Sequence, residues 1–188
     1  MKNILFLAYP QYADFEIAHT LFFLKKVGKA NVTTVTIDGK PVESIAGLLT
    51  MPQRGLSEVN VGEYDLVLIS GGDGVHTIIN ESVLHTFLQS AYSKEIPIAA
   101  ICASATLLGK SGLLKGKRFT CNPNTYEVFK DVFQGANYTG ENIEVETNLI
   151  TAKGTAFPEF NVAVGDLLNI WKDSTQENWA LQFCRGNI

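Results

Sequence analysis

Cysteine, methionine and tryptophan are scarce in this 188-residue chain: three, two and two residues respectively. The cysteines, Cys102, Cys121 and Cys184, are odd in number and far apart, with no CxxC pair and no Cys/His cluster. That spacing argues against a disulfide framework or a zinc site and fits a reducing cytoplasm, the location expected for the protein. Long apolar runs are missing too, so no membrane span is expected. The opening "MKNILFLAYPQYADFE" is interrupted by Tyr9 and Pro10 and lacks the apolar region and cleavage site of a signal peptide. The Asn-x-Ser/Thr matches at Asn31, Asn80 and Asn137 therefore carry little weight. There is no extended basic stretch, and the formal net charge is -4. Nucleic acid and anionic membrane are not expected as partners. No repeat, low-complexity segment or linker breaks the chain, and a single domain over 1–188 is the economical reading.

What is present is a globular composition, 46% apolar and 18% charged. Strand-like and helix-like segments alternate. "NILFLAY", "DLVLIS" and "PIAAIC" are short continuous apolar runs, and "NVTTVTI" is β-branched and alternating. Between them lie "DFEIAHTLFFLKKVGK", with Asp14 as its expected cap, and "ESVLHTFLQSAYSK", with Val83, Phe87 and Leu88 on its apolar face. "KPVES" and "GLLTMP" suggest a side hairpin. "NTYEVFKDV" reads as a short helix, and "NIEVET" and "LITAK" as short strands. "EFNVAVGDLLNIW" and "TQENWALQFCR" read as closing helices, the second opened by a Ser174/Glu177 pair. Strands apolar on both faces, alternating with helices, imply an α/β fold: a mostly parallel sheet covered on each side.

Open parallel sheets bind ligands at the carboxyl ends of their strands. Cys102 ends "PIAAIC" and a helix begins at once, with small Ala103 and Ser104 beside it. That is the geometry of a nucleophile elbow, without the G-x-S-x-G consensus. The helix start brings unpaired N–H groups and partial positive charge to the sulfur. The Ala103 N–H is then a candidate oxyanion donor, and Gly72, in "ISGGDG", supplies a second. Gly71 and Asp73 flank it as candidate pocket residues. The competing reading is a silent buried thiol, which is what most cysteines are. It is the preferred reading for Cys121 and Cys184.

A reactive thiol leans on a base. His19, His76 and His85 fit surface or packing positions better than catalytic ones, although His76 follows the glycine turn. Glu16 follows the first strand and belongs at the same sheet edge as Cys102. An acid in a first helical turn complements the helix dipole and needs no other reason. If it reaches Cys102, two anions cannot share the pocket, and thiolate beside protonated carboxyl is the expected state.

Four stretches carry a family likeness: "ILFLAYPQYADFEIA", "YDLVLISGGDG", "IPIAAICASATLLGKSGLLKGKRFTCNP" and "NLITAKGTAFPEFNVAVGDLL". On these the chain resembles the ThiJ/PfpI superfamily, relatives of the class I glutamine amidotransferase domain, and within it the branch of the parkinsonism-associated protein deglycase. The resemblance implies a flavodoxin-like three-layer sandwich and a homodimer. It puts the family's easily oxidised cysteine on Cys102 and its protonated glutamate on Glu16, with oxyanion donors on Gly72 and Ala103. Deglycase-type members carry histidine in a T-x-H-P segment, whereas "FTCNP" here has Asn122, a candidate pocket residue that cannot take a proton near neutral pH. Protease-like members place histidine directly after the cysteine, where this chain has Ala103. Protease activity is therefore not expected. The expected function is a cysteine-dependent stress response acting on small reactive carbonyls, in the manner of a glyoxalase or deglycase, with no metal or organic cofactor. The alternatives are a redox-responsive cysteine with little turnover, and a binding domain without chemistry.

Overall fold

The computed structural model describes residues 1–188. The chain runs β1 (Asn3–Leu7), α1 (Asp14–Lys26), β2 (Asn31–Thr36), β3 (Val42–Glu43), β4 (Leu49–Thr50), β5 (Arg54–Gly55), β6 (Leu66–Ile69), α2 (Val75–Ile78) and α3 (Ser82–Ser93). It continues with β7 (Ile98–Ile101), α4 (Ala105–Lys110), β8 (Arg118–Phe119), α5 (Pro123–Val128), β9 (Asn137–Tyr138), β10 (Ile143–Val145), β11 (Leu149–Ala152), α6 (Phe157–Leu167) and α7 (Ser174–Cys184). Seven strands form the central sheet in the order β10-β11-β7-β6-β1-β2-β5. Every pairing is parallel except β10 with β11. The four strands at its centre (β11, β7, β6 and β1) are the apolar runs of the sequence, and their residues are buried except for Asn3. Burial on both faces demands helices on both faces. Helix α1 packs on α6 and α6 on α7, while α3 packs on α4. The first connection out of β1 steps one way along the sheet and those out of β6 and β7 step the other, so right-handed crossovers put the two helix sets on opposite faces. This is the expected α/β sandwich.

The order reverses between β1 and β6, where such sheets open a crevice at their carboxyl edge. Here the loop after β1 and the loop after β6 lie backbone to backbone. The Ala13 N–H donates to the Gly71 carbonyl at 2.8 Å, and Tyr12 pairs with Gly72. Gly72 has φ +136° and Gly74 lies against the Pro10 carbonyl oxygen, so neither site has room for a β-carbon. The side hairpin forms from β3 and β4 and is tied to the same loop: Gln11 N–H donates to Glu43 O at 2.7 Å and Ile45 N–H to Tyr12 O at 2.9 Å.

Several local expectations are corrected. Asp14 does not cap α1. Ala13 holds that position without a side-chain bond, and the Asp14 carboxylate accepts from the Ser44 hydroxyl instead, pinning the hairpin. The cap of α7 is Asp173, whose Oδ1 accepts from Gln176 N–H at 2.9 Å, one residue before the expected Ser174. On α3 the buried face is Leu84, Phe87, Leu88 and Ala91, with Val83 only half-buried. The two-residue β5 had no periodicity to announce it. No helix is long and apolar enough to cross a membrane.

Because Gly74 touches backbone rather than a yielding side chain, Gly74→Ala is expected to cost about 2–3 kcal/mol and lower the melting temperature by roughly 5–10 °C. A thermal melt followed by circular dichroism checks this; an unchanged midpoint would mean that the two loops are not locked together.

Candidate active site

Strand β7 ends at Ile101 in an extended conformation, and Cys102 then takes φ +60°. A left-handed conformation at a residue with a β-carbon costs about 1–2 kcal/mol and persists only where its surroundings enforce it. Ser104 supplies part of that enforcement. Its buried hydroxyl lies 2.7 Å from the Ile101 carbonyl and 3.1 Å from that of Ile69, so it joins the ends of β7 and β6 just below the bend. Cys102 is half-buried, whereas Cys121 and Cys184 are buried. Burial pushes the Cys121 thiol up to about 12 and that of Cys184 to about 11, as expected for packing residues.

Glu16 lies in the first turn of α1, and its side chain is buried at 3% exposure. The Gly71 N–H donates to Oε2 at 2.8 Å and orients the carboxyl. A β-carbon on Gly71 would stand 2.5 Å from both Glu16 Oε2 and the Cys102 β-carbon. One on Gly154, just past β11, would stand 2.5 Å from Glu16 Oε1 and 3.1 Å from the Cys102 sulfur. Two glycines from different strand ends therefore clear the space in which carboxyl and sulfur meet. Burial raises the Glu16 carboxyl to about 7, against the lowering effect of its hydrogen bonds with Cys102 and Gly71. The Cys102 thiol is also held well above its ordinary value, first by burial and then by the charge of Glu16; the Ala103 N–H, aimed at the sulfur, offsets only part of this. The expected resting thiolate is thus corrected. Helix-start donors do not outweigh the loss of water, and near neutrality it is Glu16 that sits at the threshold of ionisation. The pair titrates as a unit.

Asn122 touches the sulfur: its Nδ2 donates to Cys102 Sγ at 3.2 Å, while its Oδ1 accepts from Gly154 N–H at 2.8 Å. Gly71 holds Glu16, as above. Gly72 is buried beside it, and its N–H is given to no other backbone group. Asp73 is exposed; its charge raises Glu16 slightly, without a hydrogen bond between them. His76 is exposed with Nδ1 2.8 Å from the Asp73 carbonyl, His85 meets Ser111 at 2.9 Å, and His19 packs against Phe157 and Phe183. No histidine joins the cluster. Nor do three or more His, Cys, Asp or Glu side chains gather anywhere as a metal site would require. Sequence reasoning missed Gly154, although it carries the same signal as Gly72, a glycine just beyond the carboxyl end of an apolar strand.

The larger clefts lie elsewhere. One of about 460 Å³ is lined by residues such as Tyr9, Ile37, Pro41 and Ile78, and one of about 430 Å³ lies between Leu56 and Phe87. Neither includes Cys102. Strained backbone and convergent polar groups, rather than cavity volume, single out Cys102 as the candidate site.

The chain matches the DJ-1/PfpI family over residues 2–166. It is 33% identical over 184 residues to a Bacillus subtilis protein named as an uncharacterized protease, YdeA, covering 95% of this chain and 87% of that one. It is 30% identical over 132 residues to the glutathione-independent glyoxalase DJR-1.2 of Caenorhabditis elegans, covering 69% and 68%. Among solved structures, the DJ-1 superfamily protein Atu0886 of Agrobacterium tumefaciens superposes with a TM-score of 0.88 at 22% identity, covering both chains fully, which is a likeness of fold.

The raised Glu16 carboxyl makes a signed prediction. Its folded value, about 7, exceeds the ordinary 4.5, so the folded chain holds a proton that the unfolded chain has released. That contribution to stability is complete below the unfolded value and is lost as pH rises toward the folded one. Between about pH 4.5 and about pH 7 the wild type should lose about 3 kcal/mol relative to Glu16→Gln, read from urea unfolding midpoints. Parallel stability curves for the two proteins would refute the raised value.

Proposed function

The chain belongs to the DJ-1/PfpI family, and from that premise we propose that it is a cysteine-dependent enzyme acting on small reactive aldehydes without metal or organic cofactor. The observation that carries this reading is the buried Glu16 carboxyl, raised to about 7, in contact with the sulfur of a residue bent to φ +60°. A general base works best when its pKa lies near the operating pH. The similarity to a glyoxalase supports the same reaction class.

The steps follow from the donors at hand. The Cys102 sulfur attacks the aldehyde carbon of a 2-oxoaldehyde such as methylglyoxal as its proton passes to the Glu16 carboxylate. The Gly72 and Ala103 N–H groups hold the resulting oxyanion. Glu16 returns the proton to that oxygen, giving a hemithioacetal. Ionised again, Glu16 takes the proton from C1 and delivers it to C2, with a proton shift between the two oxygens. The product is a thioester. Water cleaves it to a 2-hydroxy acid and restores the thiol. Protease chemistry is not part of the proposal, since Ala103 occupies the place of a histidine after Cys102.

A second reading, a stress-responsive thiol with little turnover, is favoured by one observation: Asn122 rather than a proton carrier touches the sulfur. Peroxide would convert the thiol to sulfenic acid and water. One experiment separates the two. Lactate formation from methylglyoxal should fall to background in Cys102→Ser, drop roughly 10²–10⁴-fold in Glu16→Gln, and in the wild type rise with pH through about 7. If the wild type makes no lactate while mild peroxide adds one or two oxygens at Cys102 alone by intact mass, the second reading replaces the first.

The homodimer is proposed on separate grounds. The hairpin β3–β4 and its flanks expose Ile45, Leu48, Leu49 and Met51 at 44–70%, and an exposed apolar cluster of this kind supports a contact with a second copy. Light scattering should return about twice 20.6 kDa, and Leu49→Glu should halve it; a monomeric wild type would withdraw the dimer.

A further inference from the structure

Asn122 occupies the N-cap position of α5, directly before Pro123. Asparagine is among the best N-cap residues, and a cap bond is worth about 1 kcal/mol. Yet the Asn122 side chain makes no cap bond. It turns away from its own helix toward two other strand ends. The Gly154 N–H, which can only donate, meets Asn122 Oδ1 at 2.8 Å. That bond settles which way the amide lies. The NH₂ group must then face Cys102, where Nδ2 stands 3.2 Å from Sγ. Pro123 helps by restricting the backbone before it, and Asn122 sits at φ -60°, ψ 140°.

We propose that Asn122 is a positioning residue whose side-chain amide, locked by the Gly154 N–H, donates a hydrogen bond to the Cys102 sulfur and stabilises its thiolate form. The forgone cap is consistent with this: a side chain with a strong local partner available turns to a distant one. A donor aimed at sulfur favours the charged form over the neutral one. It joins the Ala103 N–H as a donor to the sulfur, and the S–H remains to bond Glu16. The amide cannot carry a proton itself, so it tunes the nucleophile and does not relay. The inference rests on Cys102 being the reactive group of the proposed function, but not on carbonyl chemistry.

The test is the rate of Cys102 alkylation by iodoacetamide against pH, located by peptide mass, in wild type, Asn122→Asp and Asn122→Ala. Asp keeps the shape and the acceptor for Gly154 but presents no proton to sulfur and adds a negative charge beside it, so its profile should move further than that of Ala, which removes the donor without adding charge. Below the thiol pKa the rate follows the thiolate fraction. Each variant should therefore shift the profile up by roughly one pH unit or more, a fall of about tenfold at a fixed pH. A purely structural Asn122 would change the melting temperature and leave the Ala profile where it was. An Ala variant that alkylates like the wild type overturns the proposal. Should Ala fail to fold, Asn122→Leu, which keeps the bulk and likewise has no donor, is read on the same criterion. Alkylation needs no substrate turnover, so the role of Asn122 is tested even in a protein that makes no lactate.

Discussion

The contact between the Glu16 carboxyl and the Cys102 sulfur organises the molecule's carboxyl edge. Each group alone would be ordinary: an acid in a first helical turn, a thiol at a strand end. Together, and out of water, they cannot both be charged. Burial is the dominant cause on each side, raising the carboxyl to about 7 and the thiol further. The result is a thiol that keeps its proton beside a carboxyl that gains or loses one near neutrality. That property follows from desolvation and proximity, and a base as strong as histidine is not needed to obtain it.

Holding the pair together is mostly the work of backbone. Gly71 N–H fixes the carboxyl at 2.8 Å, and the loop after β1 is zipped to the loop after β6 through Ala13, Tyr12 and Gly72. The absence of β-carbons at Gly71 and Gly154 allows the carboxyl and the sulfur to approach. Backbone donors cannot rotate away as side chains can, so they suit a site that must be preorganised. The φ of Cys102 is the local cost of that arrangement, and Ser104 helps to secure it by linking β6 and β7 beneath the bend.

The layered architecture was legible because burial on both faces writes itself into "NILFLAY", "DLVLIS" and "PIAAIC" as continuous apolar runs. Cys102 and Glu16 were legible as candidates by the same logic, since each follows such a run and lands at its carboxyl end. Their contact was not, because nothing local says how far α1 leans over β6. The clamp of Asn122 on Gly154 was hidden for the same reason: 32 residues separate its ends, and only the packing of β11 brings them together. The charge state went astray because helix-start donors are visible in a sequence and the depth of burial is not. Asp14 and Ser174 were misplaced as caps by a single residue, the usual precision of such signals.

The two margins of the central sheet have a consequence of their own. At one lies β5, two residues long; at the other β10, three residues long, where Arg118 reaches the Glu144 carboxylate at 2.9 Å. So few unpaired amides and carbonyls offer a poor template for an incoming strand. Folded copies of this chain therefore have little means of pairing sheet edge to sheet edge into a continuous ribbon, even when crowded together.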